Sequence, residues 1–133
     1  MAARNVPVAS AGPRVSDAML RSPDTLAPST TVGDARPLLE SPKLRMLLVA
    51  EGDDFHGAVT RERLEHEPDG DRTLGELVGG SATLRPDDEL EWALTLLEEL
   101  ATERLPVVAE NGRLVGLVCF NRQKRHFCVD ADQ

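Results

Sequence analysis

The sequence predicts a mixed α/β fold made of two copies of one unit, in the order helix, strand, helix, strand, strand, helix. The first observation is a repeat at a step of 58 residues, which relates Thr25 to Thr83, and then of 59, which relates Gly57 to Gly116. The second is that both halves carry the same succession of helical and strand patterns. A unit of about 60 residues is marginally stable alone. The halves are therefore expected to share one core.

The first half is predicted to open with short elements after a flexible leader. Residues 1–14 are rich in Ala, Pro and Gly and lack an apolar period, which is typical of a mobile terminus. A short helix and a short strand are predicted within residues 15–27. Thr31 with Asp34 three residues later is typical of a helix N-cap. Pro37 predicts that this helix is kinked or short, because proline removes a backbone hydrogen bond and clashes with the preceding turn.

A hairpin and a closing helix complete the first repeat, which spans residues 15–66. Residues 46–50 form an apolar run typical of a buried strand, and a Gly-containing turn joins it to a partner strand over 55–60. Residues 61–66 are predicted as the closing helix. The polar, turn-rich segment 67–72 is the predicted linker.

The second repeat, predicted over residues 73–126, contains the clearest helix. Asp88 with Glu91 three residues later predicts an N-cap, followed by a helix that runs to about Thr102. The apolar residues recur at helical spacing and predict one buried face. These residues are Leu90, Ala93, Leu94, Leu97 and Leu100.

The clearest hairpin also lies in the second repeat. Predicted strands over 105–109 and 113–118 flank Asn111-Gly112, a dipeptide that strongly favours a tight hairpin turn. By the repeat, a closing helix is expected after the second strand. Residues 127–133 are predicted as a tail.

Composition and charge exclude several classes of function. The formal net charge of −8 argues against nucleic acid or an anionic membrane as a general partner. The start of the chain lacks the apolar region of a signal peptide, and the sequence has no apolar run of membrane-spanning length. The two cysteines allow at most one disulfide bond, a content that fits a reducing compartment. We therefore expect a cytoplasmic protein.

The ordered series of motifs, repeated along the chain, resembles a known family. The quoted motifs are Val15-Ser16-Asp17-Ala18-Met19, Ala35 with Leu39, Leu105-Pro106-Val107-Val108 and Asn111-Gly112-Arg113-Leu114-Val115-Gly116. This series is similar to that of the CBS domain, the cystathionine β-synthase repeat. The resemblance covers roughly residues 15–125. It implies a pseudo-twofold pair of CBS domains packed through their sheets. It also implies two clefts that could take AMP, ADP, ATP or S-adenosylmethionine, and it implies a homodimer.

The resemblance also implies a ligand site with altered residues. In the family, a closing Thr or Ser contacts phosphate or ribose, and an Asp three residues later accepts hydrogen bonds from the ribose. The first half retains Thr60 but has Arg63 at the Asp position, and the second half has Cys119 and Arg122. Arginine only donates hydrogen bonds and favours anionic groups. The predicted ligand-binding residues are Thr25, Thr60, Arg63, Thr83, Val107, Cys119 and Arg122.

Several of these residues have an alternative structural interpretation. Arg63 and Arg122 are either anion contacts or solvated residues on closing helices. Cys119 is predicted to be a small packing residue, and the basic segment 122–126 a solvated helix end, with a phosphate or acidic-partner contact as the alternative. The histidines show no metal-ligand spacing, so no metal site is predicted.

These observations favour a non-enzymatic regulatory module that senses an adenine nucleotide or another small anionic ligand. The alternative is a dimerisation or protein-interaction scaffold whose clefts bind nothing. An enzyme is disfavoured because the sequence has no catalytic triad, phosphate loop or metal cluster. The apolar helix faces at 35–39 and 93–97 exceed what two small lobes can cover, so a homodimer is predicted, and an unidentified protein target fits the regulatory role.

Overall fold

The structure, a computed structural model, describes residues 13–79 and 82–128, and its elements follow the predicted repeat. The helices are α1 (Val15–Ala18), α2 (Val32–Ala35), α3 (Arg61–Glu65), α4 (Leu74–Leu77) and α5 (Leu90–Glu99), with a 3₁₀ helix (Arg36–Glu40) directly after α2. The strands are β1 (Leu20–Arg21), β2 (Thr25–Leu26), β3 (Met46–Glu51), β4 (Asp54–Thr60), β5 (Arg104–Val108), β6 (Leu114–Asn121) and β7 (His126–Phe127).

The strands form two sheets that exchange their opening segments between the repeats. In the first sheet, β3 lies between β2, which is parallel to it, and β4, which is antiparallel. In the second sheet, β6 lies between β1 and β5, and β7 also pairs with β6. Strand β1 comes from the first repeat, whereas Gly79 of the second repeat bridges to Ala58 in β4. Each repeat therefore completes the sheet of the other.

Two glycines at equivalent positions permit this exchange. A Cβ atom on Gly116 would lie 2.8 Å from the backbone oxygen of Leu20, and one on Gly57 would lie 2.9 Å from Cβ of Val78. Real Cβ atoms do not approach other atoms so closely, so only glycine lets the exchanged segments pack against β6 and β4. The repeat of glycine at a step of 59 residues is therefore explained by this close packing in both sheets.

The core confirms that the two halves depend on each other. One apolar cluster contains Leu74 and Leu77 of α4 packed among first-repeat residues, and another contains Val15 of α1 packed among second-repeat residues. A third cluster lies between the sheets and joins residues such as Leu48 and Leu117. Burial across repeat boundaries supplies the apolar area that one repeat lacks.

The helices confirm most of the local predictions and correct one. The Thr31 side chain accepts a hydrogen bond from the backbone nitrogen of Asp34 at 3.1 Å, and α2 gives way to a 3₁₀ helix at Pro37. The N-cap of α5 is Glu89, one residue later than predicted, because the Asp88 carboxylate accepts a hydrogen bond from the Arg85 backbone instead.

The predicted buried face of α5 is wrong at its last position. Ala93 and Leu97 are buried, but Leu100, at the C-cap, is 47% exposed. Leu100 still has helical backbone angles and donates to the backbone oxygen of Leu96, and the chain turns at Ala101, whose φ is 53°. The exposed position therefore lies at the very end of the helix.

The end of the second repeat differs most from the sequence prediction. No helix follows β6 in the described residues; a turn leads to β7, which pairs with β6, and a disulfide bond joins Cys119 to Cys128. Cys119 is buried in the third core cluster, as expected of a packing residue, and it is also bonded to Cys128, which the expected reducing compartment did not predict. Phe127 and Cys128, assigned to the tail, belong to this hairpin, and the rings of Phe120 and Phe127 meet edge to face at 5.1 Å.

Two further predictions concern the ends of the chain and its location. Residues 1–12 of the predicted leader and 129–133 of the predicted tail lie outside the described residues, whereas Arg14 is already the N-cap of α1. Within the described part of the chain, no helix has the length and apolar character needed to cross a membrane. The cytoplasmic location stays a prediction.

Candidate functional site

A mainly apolar cavity of about 330 Å³ lies between the two repeats. We call it the leucine cleft. Thr25 of β2 lies at one side and Cys119 of β6 at the other, so both repeats build it. A cavity of this size and character suits the flat apolar part of a small ligand. Its leucines are Leu20, Leu26, Leu38, Leu44, Leu47, Leu48 and Leu117.

A second cavity, of about 340 Å³, adjoins the leucine cleft and is mainly polar. We call it the lysine basin. Lys43, Arg45, Arg104 and Cys119 line both cavities, and the β6–β7 hairpin contributes Lys124 to the basin. Four cationic side chains therefore surround a space that holds one carboxylate, that of Glu103.

The cations of the lysine basin lack carboxylate partners. Lys43, Arg45, Arg104 and Lys124 form no ion pair with any residue in the described ranges. Arg45 donates a single hydrogen bond, to the backbone oxygen of Pro42 at 3.2 Å. Burial lowers the pKa of Arg104, and the nearby charge of Arg45 lowers it further against the opposing effect of Glu103. Crowded cations of this kind favour an added anion.

A third cavity, of about 430 Å³, lies on the other side of Arg104. We call it the Thr60 cleft. It is lined by Thr60 and Arg63 of the first repeat and by Leu105 and Pro106 of the second. The Thr60 hydroxyl oxygen accepts a hydrogen bond from the backbone nitrogen of Arg63 at 3.1 Å, as the N-cap of α3. Its acceptor capacity is thus partly used within the fold.

Arg63 in the Thr60 cleft is neutralised by a buried carboxylate. Glu67 is only 4% exposed, and one of its oxygens accepts hydrogen bonds from Arg63 and Arg72, both at 3.0 Å. The backbone amide of Asp69 contributes most to holding the pKa of Glu67 below its ordinary value, with Arg63 and Arg72 adding to it against the opposing effect of burial. Arg36 also donates to the backbone oxygen of Glu67.

The contacts of Arg122 differ from those that its place in the repeat predicts. Its guanidinium donates to the backbone oxygens of Leu97 and Thr102, at 3.0 and 3.1 Å, near the end of α5. Arg61 does the same in the first repeat. It donates to the backbone oxygen of Leu39 in the 3₁₀ helix and to those of Ser41 and Leu44 after it. Arg122 therefore corresponds to Arg61 in its contacts, although its position after the closing strand corresponds to Arg63.

The family follows from comparison with known proteins. A model of the CBS domain matches residues 15–67 and 77–120, which together exceed half of the chain. The chain belongs to the CBS domain family. The two matched segments are the two repeats, so the resemblance seen in the sequence is confirmed.

The CBS relatives include longer enzymes. The inosine-5'-monophosphate dehydrogenase of Thermoplasma acidophilum is 29% identical over 100 residues, which cover 75% of this chain and 21% of that protein. The dehydrogenase of the same name from Korarchaeum cryptofilum is 29% identical over 114 residues, or 85% of this chain and 24% of that protein. This chain thus spans about a quarter or less of the length of both relatives.

Solved CBS-pair structures share the fold. CBSX2 of Arabidopsis thaliana, solved in complex with AMP, is 28% identical with a TM-score of 0.69, over 81% of this chain and 90% of that one. The cytosolic domain of the Mg²⁺ channel MgtE, solved in complex with ATP, is 21% identical with a TM-score of 0.69, over 80% of this chain and 45% of that one. The second likeness concerns the fold alone.

The CBS pair distributes the predicted site residues over separate places. Thr25 and Cys119 line the leucine cleft, although they come from different repeats, and Thr60 and Arg63 line the Thr60 cleft. The leucine cleft therefore combines the opening strands of the first repeat with β6 of the second, and the Thr60 cleft combines β4 of the first repeat with β5 of the second. The binding roles of these four residues stay predictions.

Three further predicted residues lie away from the cavities. Val107 is fully buried in the second core cluster, Thr83 is exposed and lines none of the three cavities, and Arg122 is held by backbone carbonyls. Sequence reasoning overlooked Arg45 and Arg104, which are related by the 59-residue step; Arg45 directly precedes β3, and Arg104 is the first residue of β5. The repeat itself was the signal that could have identified them.

Proposed function

We propose that this CBS pair is a non-enzymatic regulatory module that binds an adenine nucleotide in the leucine cleft. The observation that carries the proposal is the direct junction of an apolar cavity with a group of cations, including Arg45 and Arg104, that make no ion pair in the described ranges. A nucleotide has the same division, since its base is flat and weakly polar and its phosphates are anionic. The AMP complex of CBSX2, a relative of similar length, supports this ligand class.

The leucine cleft can supply the contacts that a purine base needs. Leu26 and Leu48 lie on neighbouring strands and Leu117 faces them from the second sheet, so aliphatic side chains border the cavity from both repeats. Dispersion contacts and burial of the base would stabilise the complex. Ligand binding between the repeats would then alter how the two sheets pack, which is the physical basis of a regulatory response.

A ligand screen with a blocked cleft tests this function. Thermal denaturation of the full chain with AMP, ADP, ATP and S-adenosylmethionine should show a raised Tm for at least one adenine nucleotide. Thr25→Trp places a large ring in the leucine cleft and should abolish that rise. Thr83→Trp is the matched control, because Thr83 is the repeat equivalent and lines none of these cavities. No rise with any of the four ligands would contradict the proposal.

An interaction module is the second candidate, and exposed apolar residues favour it. Trp92 and Leu100 are 46% and 47% exposed, and Leu96 lies between them at helical spacing along α5. Large apolar side chains in such a row are typical of an interface, and a second copy of the chain is the proposed partner. Light scattering should give the mass of a dimer, Trp92→Glu should give a monomer, and Glu98→Ala should not. A monomeric wild type at micromolar concentration would overturn the homodimer.

A further inference from the structure

We propose that the lysine basin is a binding site for the di- or triphosphate group of a ligand whose base lies in the leucine cleft. The inference rests on the proposed function, in which the leucine cleft binds a nucleotide, and it adds a site for the phosphate chain of that nucleotide. The site is built by the loop before β3 and by the β6–β7 hairpin, at the place where the second repeat has a hairpin and the first has helix α3.

The composition of the basin supports an anionic ligand. The chain has only two lysines, Lys43 and Lys124, and both line this cavity although most of the sequence separates them. The protein as a whole carries a formal charge of −8, so a group of four cations around a single carboxylate runs against its average surface. Oligophosphates carry several charges and many acceptor oxygens, which match the donors of lysine and arginine.

The one carboxylate in the basin is already engaged. Glu103 accepts a hydrogen bond from the backbone nitrogen of Arg122 at 3.0 Å, and it pairs with none of the four cations in the described part of the chain. The four cations therefore outnumber the single carboxylate, whose charge acts on Arg104 without forming an ion pair. An incoming phosphate chain would be the first anion to contact them closely.

The position of the basin connects it to the leucine cleft. Lys43, Arg45 and Arg104 line both cavities, so a ligand in the cleft meets these side chains where the basin begins. A monophosphate at this junction would reach the arginines, whereas a longer chain would extend towards Lys124. The basin thus predicts a preference for di- and triphosphates over monophosphates.

The disulfide bond holds the hairpin that carries Lys124. Cys119 lines both cavities and is bonded to Cys128, which lines the basin. The Asn121 side chain accepts a hydrogen bond from the backbone nitrogen of Lys124 at 3.0 Å and fixes the turn. The cation is thereby placed before ligand binds, which lowers the entropic cost of association.

Calorimetric titration of the full chain with tripolyphosphate, AMP and ATP tests the inference. Wild type should bind tripolyphosphate, and the double variant Lys43→Gln with Lys124→Gln should lose roughly tenfold or more in affinity for tripolyphosphate and ATP. Lys124→Gln alone should change the affinity for AMP by less than about twofold, because Lys124 lines the basin but not the leucine cleft. Arg125→Gln is the control, because Arg125 is a cation on the same hairpin that does not line the basin. Circular dichroism establishes that each variant is folded.

The outcomes separate the basin from the proposed nucleotide function. If AMP and ATP bind equally and the double lysine variant matches wild type, the basin is overturned and the nucleotide function stands. If tripolyphosphate binds through the lysines but no adenine nucleotide binds, the basin stands and the nucleotide function fails. If Arg125→Gln weakens binding as much as the lysine variants, the effect is general charge and the basin is overturned.

Discussion

The Thr60 cleft and the lysine basin share the side chain of Arg104, which makes no ion pair in the described residues, but they differ in their other cations. In the Thr60 cleft, Arg63 donates to the buried carboxylate of Glu67. In the lysine basin, Arg45, Lys43 and Lys124 make no ion pair within residues 13–79 and 82–128. The number of cations at a cavity therefore does not decide whether it attracts an anion.

The comparison teaches that charge availability depends on the fold around the cation. An arginine already bonded to a buried carboxylate must give up that bond before it can contact a ligand phosphate, and the exposed carboxylate would have to be solvated again. A cation without a partner has no such cost. The ligand-binding roles expected from the sequence for Thr60 and Arg63 stay predictions, and the phosphate site proposed above lies in the lysine basin instead.

Removal of the buried carboxylate should have the largest combined effect, on stability and on binding, and would break the difference between the two cavities. Glu67→Gln leaves Arg63 and Arg72 without their shared anionic acceptor, so Tm should fall by several degrees. Arg63 would also become free, and tripolyphosphate should gain a second, weaker site. Thermal denaturation and calorimetric stoichiometry measure both effects.

The matched control for Glu67 is another glutamate paired with arginine. Glu65→Gln removes the exposed partner of Arg61, whose ion pair spans 3.2 Å, and should change Tm little. If Tm fell equally in the two variants, or if Glu67→Gln still bound tripolyphosphate at one site only, Glu67 would not be what distinguishes the two cavities.

Loss of the disulfide bond should have the next largest effect. The bond closes a loop of sequence separation 9, and the double variant Cys119→Ala with Cys128→Ala should lower the free energy of unfolding by about 2.5 kcal/mol. It should also weaken tripolyphosphate binding, because Lys124 is no longer held at the basin. Reduction of wild type by dithiothreitol, which yields two thiols and oxidised dithiothreitol, should reproduce both results. If the free energy of unfolding were unchanged, the disulfide bond would not stabilise the fold.

A smaller effect is expected in the pH dependence of stability, through the carboxyl of Glu67 beside the Thr60 cleft. The folded pKa of Glu67 lies below its ordinary value of 4.5, so its contribution to stability is present above that pH and is lost as the pH falls through the folded pKa. The carboxyl of Glu76, whose pKa is lowered by Thr73 and Arg72, acts with the same sign. The Tm difference between wild type and Glu67→Gln should shrink from about pH 6 to about pH 3. A constant difference would contradict the assignment.

Much of the fold could be predicted from the sequence because its signals are local or periodic. The N-cap at Thr31, the break at Pro37 and the turn at Gly112 each depend on neighbours within a few residues. The exchange of opening strands could not be predicted in this way, since it depends on which surface Leu20 meets in space. The glycine pair 57 and 116 carried that information, but only as an unexplained match.

The candidate site was harder to predict than the fold for the same reason. Lys43 and Lys124 come together only because the β6–β7 hairpin replaces an expected helix, and the disulfide bond that fixes it joins two residues that composition alone does not pair. Arg63 looked available because the sequence does not show that Glu67 folds back onto it. Tertiary contacts decide which charges are free.

The ratio of ATP affinity to AMP affinity, measured by calorimetry on the full chain at low and high salt, tests the central claim most directly. If the lysine basin holds a phosphate chain next to the leucine cleft, ATP should bind at least about tenfold more tightly than AMP at low salt. That ratio should fall towards one at about 1 M salt, because screening weakens the added phosphate contacts. Equal affinities for ATP and AMP at both salt concentrations would contradict the account.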